Sequence, residues 1–141
     1  MPMSPDSIAL NPLEEAQQTA FFFWCAMNFD HCPQLKWAFA IPNGGLRNKI
    51  TAAKLKAQGV KAGVPDVMLP IPLYCGNRFY CGLWLELKKV KGGNVSDKQL
   101  EWQQYLSNVG YAHRICAGYV AMRDAVKQYM GLDKPWKDTL D

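Results

Sequence analysis

At 141 residues and 15.9 kDa the chain is long enough for one compact domain and short for two. Hydrophobic residues make up 49% and charged residues 20%, a folding composition that excludes a disordered chain. The net charge of +4 does not by itself point to nucleic acid. No membrane partner is expected, because the cluster Phe21-Phe22-Phe23-Trp24 falls far short of the roughly 20 apolar residues a spanning helix needs.

In chain order, residues 1–12 carry three prolines and read as an extended leader. Apolar residues at Leu13, Ala16, Ala20, Phe21, Trp24 and Met27 predict a helix over 13–28, with Glu14 and Glu15 where the helix dipole favours acids. A short strand over 36–41 stops at Pro42. The loop Asn43-Gly44-Gly45 has the freedom to approach a ligand's backbone, and a helix over 48–58 closes at Gly59. Strands are predicted over 66–74 and 79–90, joined by a Gly76-Asn77 turn. Pro70 and Pro72 require the first of these to bulge or to lie at an edge. A polar loop over 91–95, a helix over 96–109, a strand over 111–116 and a helix over 119–130 follow, and 132–141 is left as a tail. The reading is a single α/β domain over 13–131.

Five cysteines, odd in number and without a CxxC pair, fit free thiols in a reducing, cytoplasmic setting and give no zinc-ligand spacing. Charge is unevenly placed. Between Asp30 and Asp66 there is no acid, while Lys36, Arg47, Lys49, Lys54, Lys56 and Lys61 all fall there; the remainder of the chain is therefore net negative. Such a segment suits a surface that follows a phosphate backbone, the alternative being a solvated helix face.

Glu86 and Lys88 lie two apart in the strand Gly82-Leu83-Trp84-Leu85-Glu86-Leu87-Lys88, so both face one side, opposite Leu83, Leu85 and Leu87. Charges within so apolar a strand call for a partner or a metal, unless the pair is a surface salt bridge. Asp66, after Pro65, opens the neighbouring strand. Two carboxylates and a lysine there would bind a hard divalent cation and place a water. Geometry attaches a condition. An uninterrupted hairpin through Gly76-Asn77 would set Asp66 opposite Leu87 and turn it away from Glu86, so a bulge near Pro70 and Pro72, or a turn of another length, is required.

Ile41-Pro42-Asn43-Gly44-Gly45, Leu55-Lys56-Ala57-Gln58-Gly59-Val60, Gly63-Val64-Pro65-Asp66, Glu86-Leu87-Lys88, then Gln99 and Trp102, together resemble the VRR-NUC family of the PD-(D/E)XK nuclease superfamily. The likeness runs over residues 14 to 126. It implies a restriction-endonuclease-like αβββαβ core with a mixed central sheet and one inserted helix. It also implies Mg²⁺ or Mn²⁺ on Asp66, Glu86 and the main-chain carbonyl of Leu87, with Lys88 orienting or activating water. Gln99 would assist the site, while Ser96 and Gln99 also spell a helix capping box. The family's first-helix acid corresponds to Glu14, or to Glu15. Its signature Val-Arg-Arg is replaced by Ala112-His113-Arg114, where Arg114 would keep a phosphate-facing role. Asn43, Gly44, Arg47, Lys49 and Lys54 are the expected DNA contacts, gripping phosphates without reading bases.

The expected function is that of a metal-dependent endonuclease hydrolysing phosphodiester bonds in structured DNA, four-way (Holliday) junctions above all, as a homodimer whose two sites meet two strands. Trp102 and Tyr105 are candidates for the dimer surface, with core packing as their other role. Two alternatives are a non-cleaving structure-specific DNA-binding module and a protein-interaction domain.

Overall fold

A computed structural model describes residues 3–42 and 49–140. Its elements are α1 (Pro5–Ile8), α2 (Glu14–Met27), a 3₁₀ turn (Pro33–Trp37), β1 (Phe39–Ala40), α3 (Lys49–Ala57), β2 (Val67–Leu69), β3 (Leu73–Cys75), β4 (Arg78–Tyr80), β5 (Leu83–Lys88), α4 (Asp97–Asn108), β6 (Ala112–Ala117) and α5 (Tyr119–Met130). Four strands form a mixed sheet in the order β1-β2-β5-β6, antiparallel except for the parallel β5–β6 pair. This is the expected αβββαβ order with α3 inserted between the first two strands.

The core lies between the sheet and helices α2 and α5. Leu83, Leu85 and Leu87 project into it beside Phe21 and Trp24 of α2 and Met122 and Val126 of α5. Trp84, Glu86 and Lys88 take the other face of β5, where α4 covers the sheet. Alternation along one strand thus separates an apolar face from the face that holds charges.

Several boundaries differ from the sequence reading. The leader is not extended throughout: Ser4 and Ser7 form a reciprocal capping box that starts α1, and Pro5 is buried. The predicted strand at 36–41 shrinks to Phe39–Ala40, because Pro33 initiates a 3₁₀ turn that consumes its first residues. The tail also belongs to the fold. Trp136 stacks on Trp24 with ring centroids 5.3 Å apart, and Asp138 accepts from Trp24 Nε1 at 3.0 Å and from Lys127 Nζ at 2.6 Å.

The hairpin does not run through. Near the turn Cys75 faces Arg78 and Leu73 faces Tyr80, as a tight Gly76-Asn77 turn requires. Beyond it Leu69 faces Leu83 and Val67 faces Leu85, a register displaced by one residue. Pro70, Ile71 and Pro72 on one strand oppose only Cys81 and Gly82 on the other, so the extra residue sits at the two prolines. The Ile71 N–H turns back to the Leu69 carbonyl at 2.9 Å, and the Ile71 carbonyl accepts from the Tyr129 hydroxyl at 2.7 Å, which ties the bulge to α5.

Candidate active site

That one-residue shift decides where Asp66 points. Continued one step past Val67 and Leu85, the displaced register brings Asp66 level with Glu86 rather than Leu87. The Asp66 main-chain N–H donates to the Leu85 carbonyl at 3.0 Å, and its Oδ2 accepts the Leu87 N–H at 2.7 Å. The carboxylate is thereby fixed against the strand that carries Glu86.

Glu86 is 3% exposed. Its Oε1 accepts from Gln99 Nε2 at 2.7 Å and lies 3.7 Å from Lys88 Nζ, whereas its Oε2 is buried with no hydrogen-bond partner among the described residues. Burial, and then the neighbouring Asp66 carboxylate, hold the Glu86 carboxyl well above the ordinary carboxylate range, with Lys88 opposing the shift. Gln99 joins the two strand residues. Its Oε1 accepts from Lys88 Nζ at 2.7 Å and from the Ser96 N–H at 2.9 Å, while its own N–H donates to Ser96 Oγ at 3.2 Å. The capping box that starts α4 therefore also aims the amide at Glu86 and Lys88, and both readings of Gln99 describe the same side chain.

A cavity of 180 Å³ opens beside these groups, lined by Glu14, Glu15, Gln18, Ile41, Pro42, Asp66 and Leu87. Both first-helix acids border it, and Glu14 is the one whose charge bears on Glu86. Among the described residues no three His, Cys, Asp or Glu side chains cluster as a ready metal cage. Two carboxylates and a main-chain carbonyl are nonetheless a hard oxygen donor set. The unpartnered Glu86 Oε2 and the like-charge pressure from Asp66 are what a divalent cation would relieve, so the residues fit Mg²⁺ or Mn²⁺.

The expected DNA contacts fare unevenly. Asn43, Gly44 and Arg47 lie outside the described residues, and of Lys49 only the backbone, which opens α3, is described. Lys54 stands exposed on α3. Arg114 is not brought to the site: it pairs with Leu85 in the parallel β5–β6 ladder and so takes the face opposite Glu86 and Lys88. Sequence reasoning did not single out the groove between α3 and α4, lined by Leu55, Val60, Lys61 and Trp102. Its signal was the helical spacing of Gln99 and Trp102, which sets them on adjoining flanks of one helix.

No protein-family model matches the sequence, and no curated protein does. The chain is similar in structure to a solved protein described as a VRR_NUC domain protein, at TM-score 0.70 and 27% identity, over 90% of this chain and 96% of that one.

Proposed function

The chain is a VRR-NUC-type domain, and from that premise we propose that it is an endonuclease that hydrolyses phosphodiester bonds in DNA with Mg²⁺ or Mn²⁺. The observation that carries this reading is the buried Glu86, set beside a second carboxylate with one oxygen left without a partner. Asp66, Glu86 and the Leu87 carbonyl would hold the cation. When bound, it supplies Lewis-acid polarisation of a phosphate oxygen and lowers the pKa of the attacking water.

The chain's own residues do the rest. Hydrolysis adds water to phosphorus and breaks one P–O bond, so negative charge builds on the phosphate oxygens in the transition state. Lys88 brings a fixed positive charge to that place. Its ammonium spends one donor on Gln99 and keeps others for a phosphate oxygen or the attacking water. Gln99 holds Glu86 and Lys88 in one orientation, which lessens the rearrangement required as charge develops. Glu14 adds a carboxylate at the mouth of the cavity. Lys54 on α3 would contact phosphates, with Asn43, Gly44, Arg47 and Lys49 beside it in the chain.

The substrate is branched DNA, four-way junctions first, cut by a homodimer whose two-fold axis puts two sites on two strands. The free thiols Cys75 and Cys81, both exposed, suit a reducing cytoplasm. Among the described residues no helix is long and apolar enough to cross a membrane. The test is cleavage of a labelled four-way junction, a flap, a plain duplex and a single strand, with Mg²⁺, Mn²⁺ or EDTA. Paired nicks in the junction, abolished by EDTA, are expected. Cutting confined to another structure would leave the chemistry and remove the junction.

A further inference from the structure

Helix α3 stands beside the body of the domain and encloses, with α4 and the segment 59–62, a groove of 610 Å³. Its apolar lining is Leu55, Val60 and Trp102, its rim holds Lys56, Lys61 and Lys98, and Tyr105 extends it along α4. Trp102 Nε1 donates to the Ala62 carbonyl at 3.1 Å, which fixes the plane of the indole. Tyr105, 60% exposed, meets it edge to face with centroids 6.4 Å apart, leaving ring surface open to the groove. Around the rim three lysines face one acid, Glu101, which pairs with Lys98 at 3.3 Å.

The groove adjoins the catalytic group through two covalent paths. Gln99 and Trp102 share one turn of α4, about 4.5 Å apart along the axis. The segment from Ala62 to Asp66 spans at most about 14 Å. A strand whose phosphate lies at Asp66 and Glu86 thus has its neighbouring nucleotides within reach of Trp102.

Resting on the nuclease reading, we propose that this groove is a subsite for an unpaired nucleotide of the DNA substrate, its base stacked on the face of Trp102 and bordered by Tyr105, which stands perpendicular to it, and its phosphates met by Lys56 and Lys61. An apolar aromatic floor with a cationic rim matches the two halves of a nucleotide, and stacking is indifferent to base identity. A paired base cannot enter without leaving its helix. The groove would therefore select DNA with single-stranded character next to the scissile bond.

The experiment compares a DNA duplex bearing a five-thymidine extension with the same duplex bearing five abasic residues, equal in charge. Binding to the full chain is read by anisotropy in EDTA. The base-bearing extension is expected to bind about tenfold tighter or more. Trp102→Leu and Tyr105→Ala should each reduce that ratio and Trp102→Phe should largely retain it; Tyr105→Ala, at an exposed position, covers the case in which Trp102→Leu fails to fold. Equal binding of the two extensions overturns the proposal. So does loss of self-association in Tyr105→Ala with the ratio unchanged, which would assign the groove to a second copy of the chain. Metal-dependent cleavage of a four-way junction and of the duplex bearing the five-thymidine extension is followed in the same preparation. Cleavage without base preference removes the subsite alone, and base preference without cleavage removes the nuclease reading alone.

Discussion

The Asp66 carboxylate accepts the main-chain N–H of Leu87 at 2.7 Å, across two strands whose register is displaced by one residue upstream of the Gly76-Asn77 turn. Without that displacement the same carboxylate would face away from Glu86. A β-bulge at Pro70–Pro72 thus turns the Asp66 carboxylate to the face that carries Glu86.

Removing Asp66 tests that bond and the chemistry separately. Asp66→Ala should lower cleavage by at least about a hundredfold, the order seen for loss of a preorganised electrostatic group. Asp66→Asn should cleave as poorly yet keep an acceptor for the Leu87 N–H. Thermal unfolding should place Asp66→Ala below Asp66→Asn by about 1–2 kcal/mol, the cost of a buried N–H left without its acceptor.

Gln99 has two tasks that different substitutions divide. Ser96→Ala removes the cap acceptor of α4 and should cost about 1 kcal/mol of stability with cleavage retained. Gln99→Leu removes the cap partner and also the link between Glu86 and Lys88. Its kcat should fall by about ten- to a hundredfold, comparable to losing an outer-shell partner at a metal site. Equal kcat in the two variants would reduce Gln99 to a capping residue.

Cation binding should be visible without turnover. The unpartnered Glu86 Oε2 predicts that Mn²⁺ raises the melting temperature of the protein, by about 2.7 kcal/mol of stability at a hundredfold excess over Kd. Glu86→Gln should abolish the rise. An unchanged rise in Glu86→Gln would place the cation elsewhere.

The fold's layout was legible where a pattern was local. Alternation in 83–88 divided Leu85 from Glu86 correctly, and the Ser96–Gln99 spacing located the start of α4. Residues 36–41 misled, because Phe39 and Ala40 look like the middle of a strand while Pro33 winds the preceding residues into a turn. The tail and α1 misled for another reason. Trp136 packs on Trp24 and His31, each more than a hundred residues away, and no local pattern announces those contacts. At the site, Pro70 and Pro72 announced a bulge, and the geometric need for one followed from the hairpin arithmetic. The face that Arg114 takes was not legible, since it depends on the parallel register with β5, which spacing alone does not give.

His113 gives a pH signature away from the proposed metal ligands. It is buried on β6, with neither ring nitrogen hydrogen-bonded among the described residues, and burial, then Arg114, push its pKa down to about 4. A folded-state pKa below the ordinary 6.5 means that the unfolded chain binds the proton more readily. Stability from keeping this imidazole neutral is present above pH 6.5 and is lost as pH falls towards 4, on the order of 3 kcal/mol in all. His113→Leu should remove that loss, so the difference in unfolding free energy between variant and wild type should change across the window. A constant difference from pH 7 to 4 would show that His113 does not titrate in this way.

If Asp66 and Glu86 hold the cation on which phosphodiester cleavage depends, activity and cation binding must stand or fall together. The most direct measurement is a Mn²⁺ titration of the cleavage rate of one four-way junction, run beside calorimetric Mn²⁺ binding, for wild type and Glu86→Gln. Activity and binding should saturate over the same Mn²⁺ range in wild type, and both should be lost in Glu86→Gln. Cleavage that persists in EDTA, or that Glu86→Gln leaves intact, would contradict that assignment.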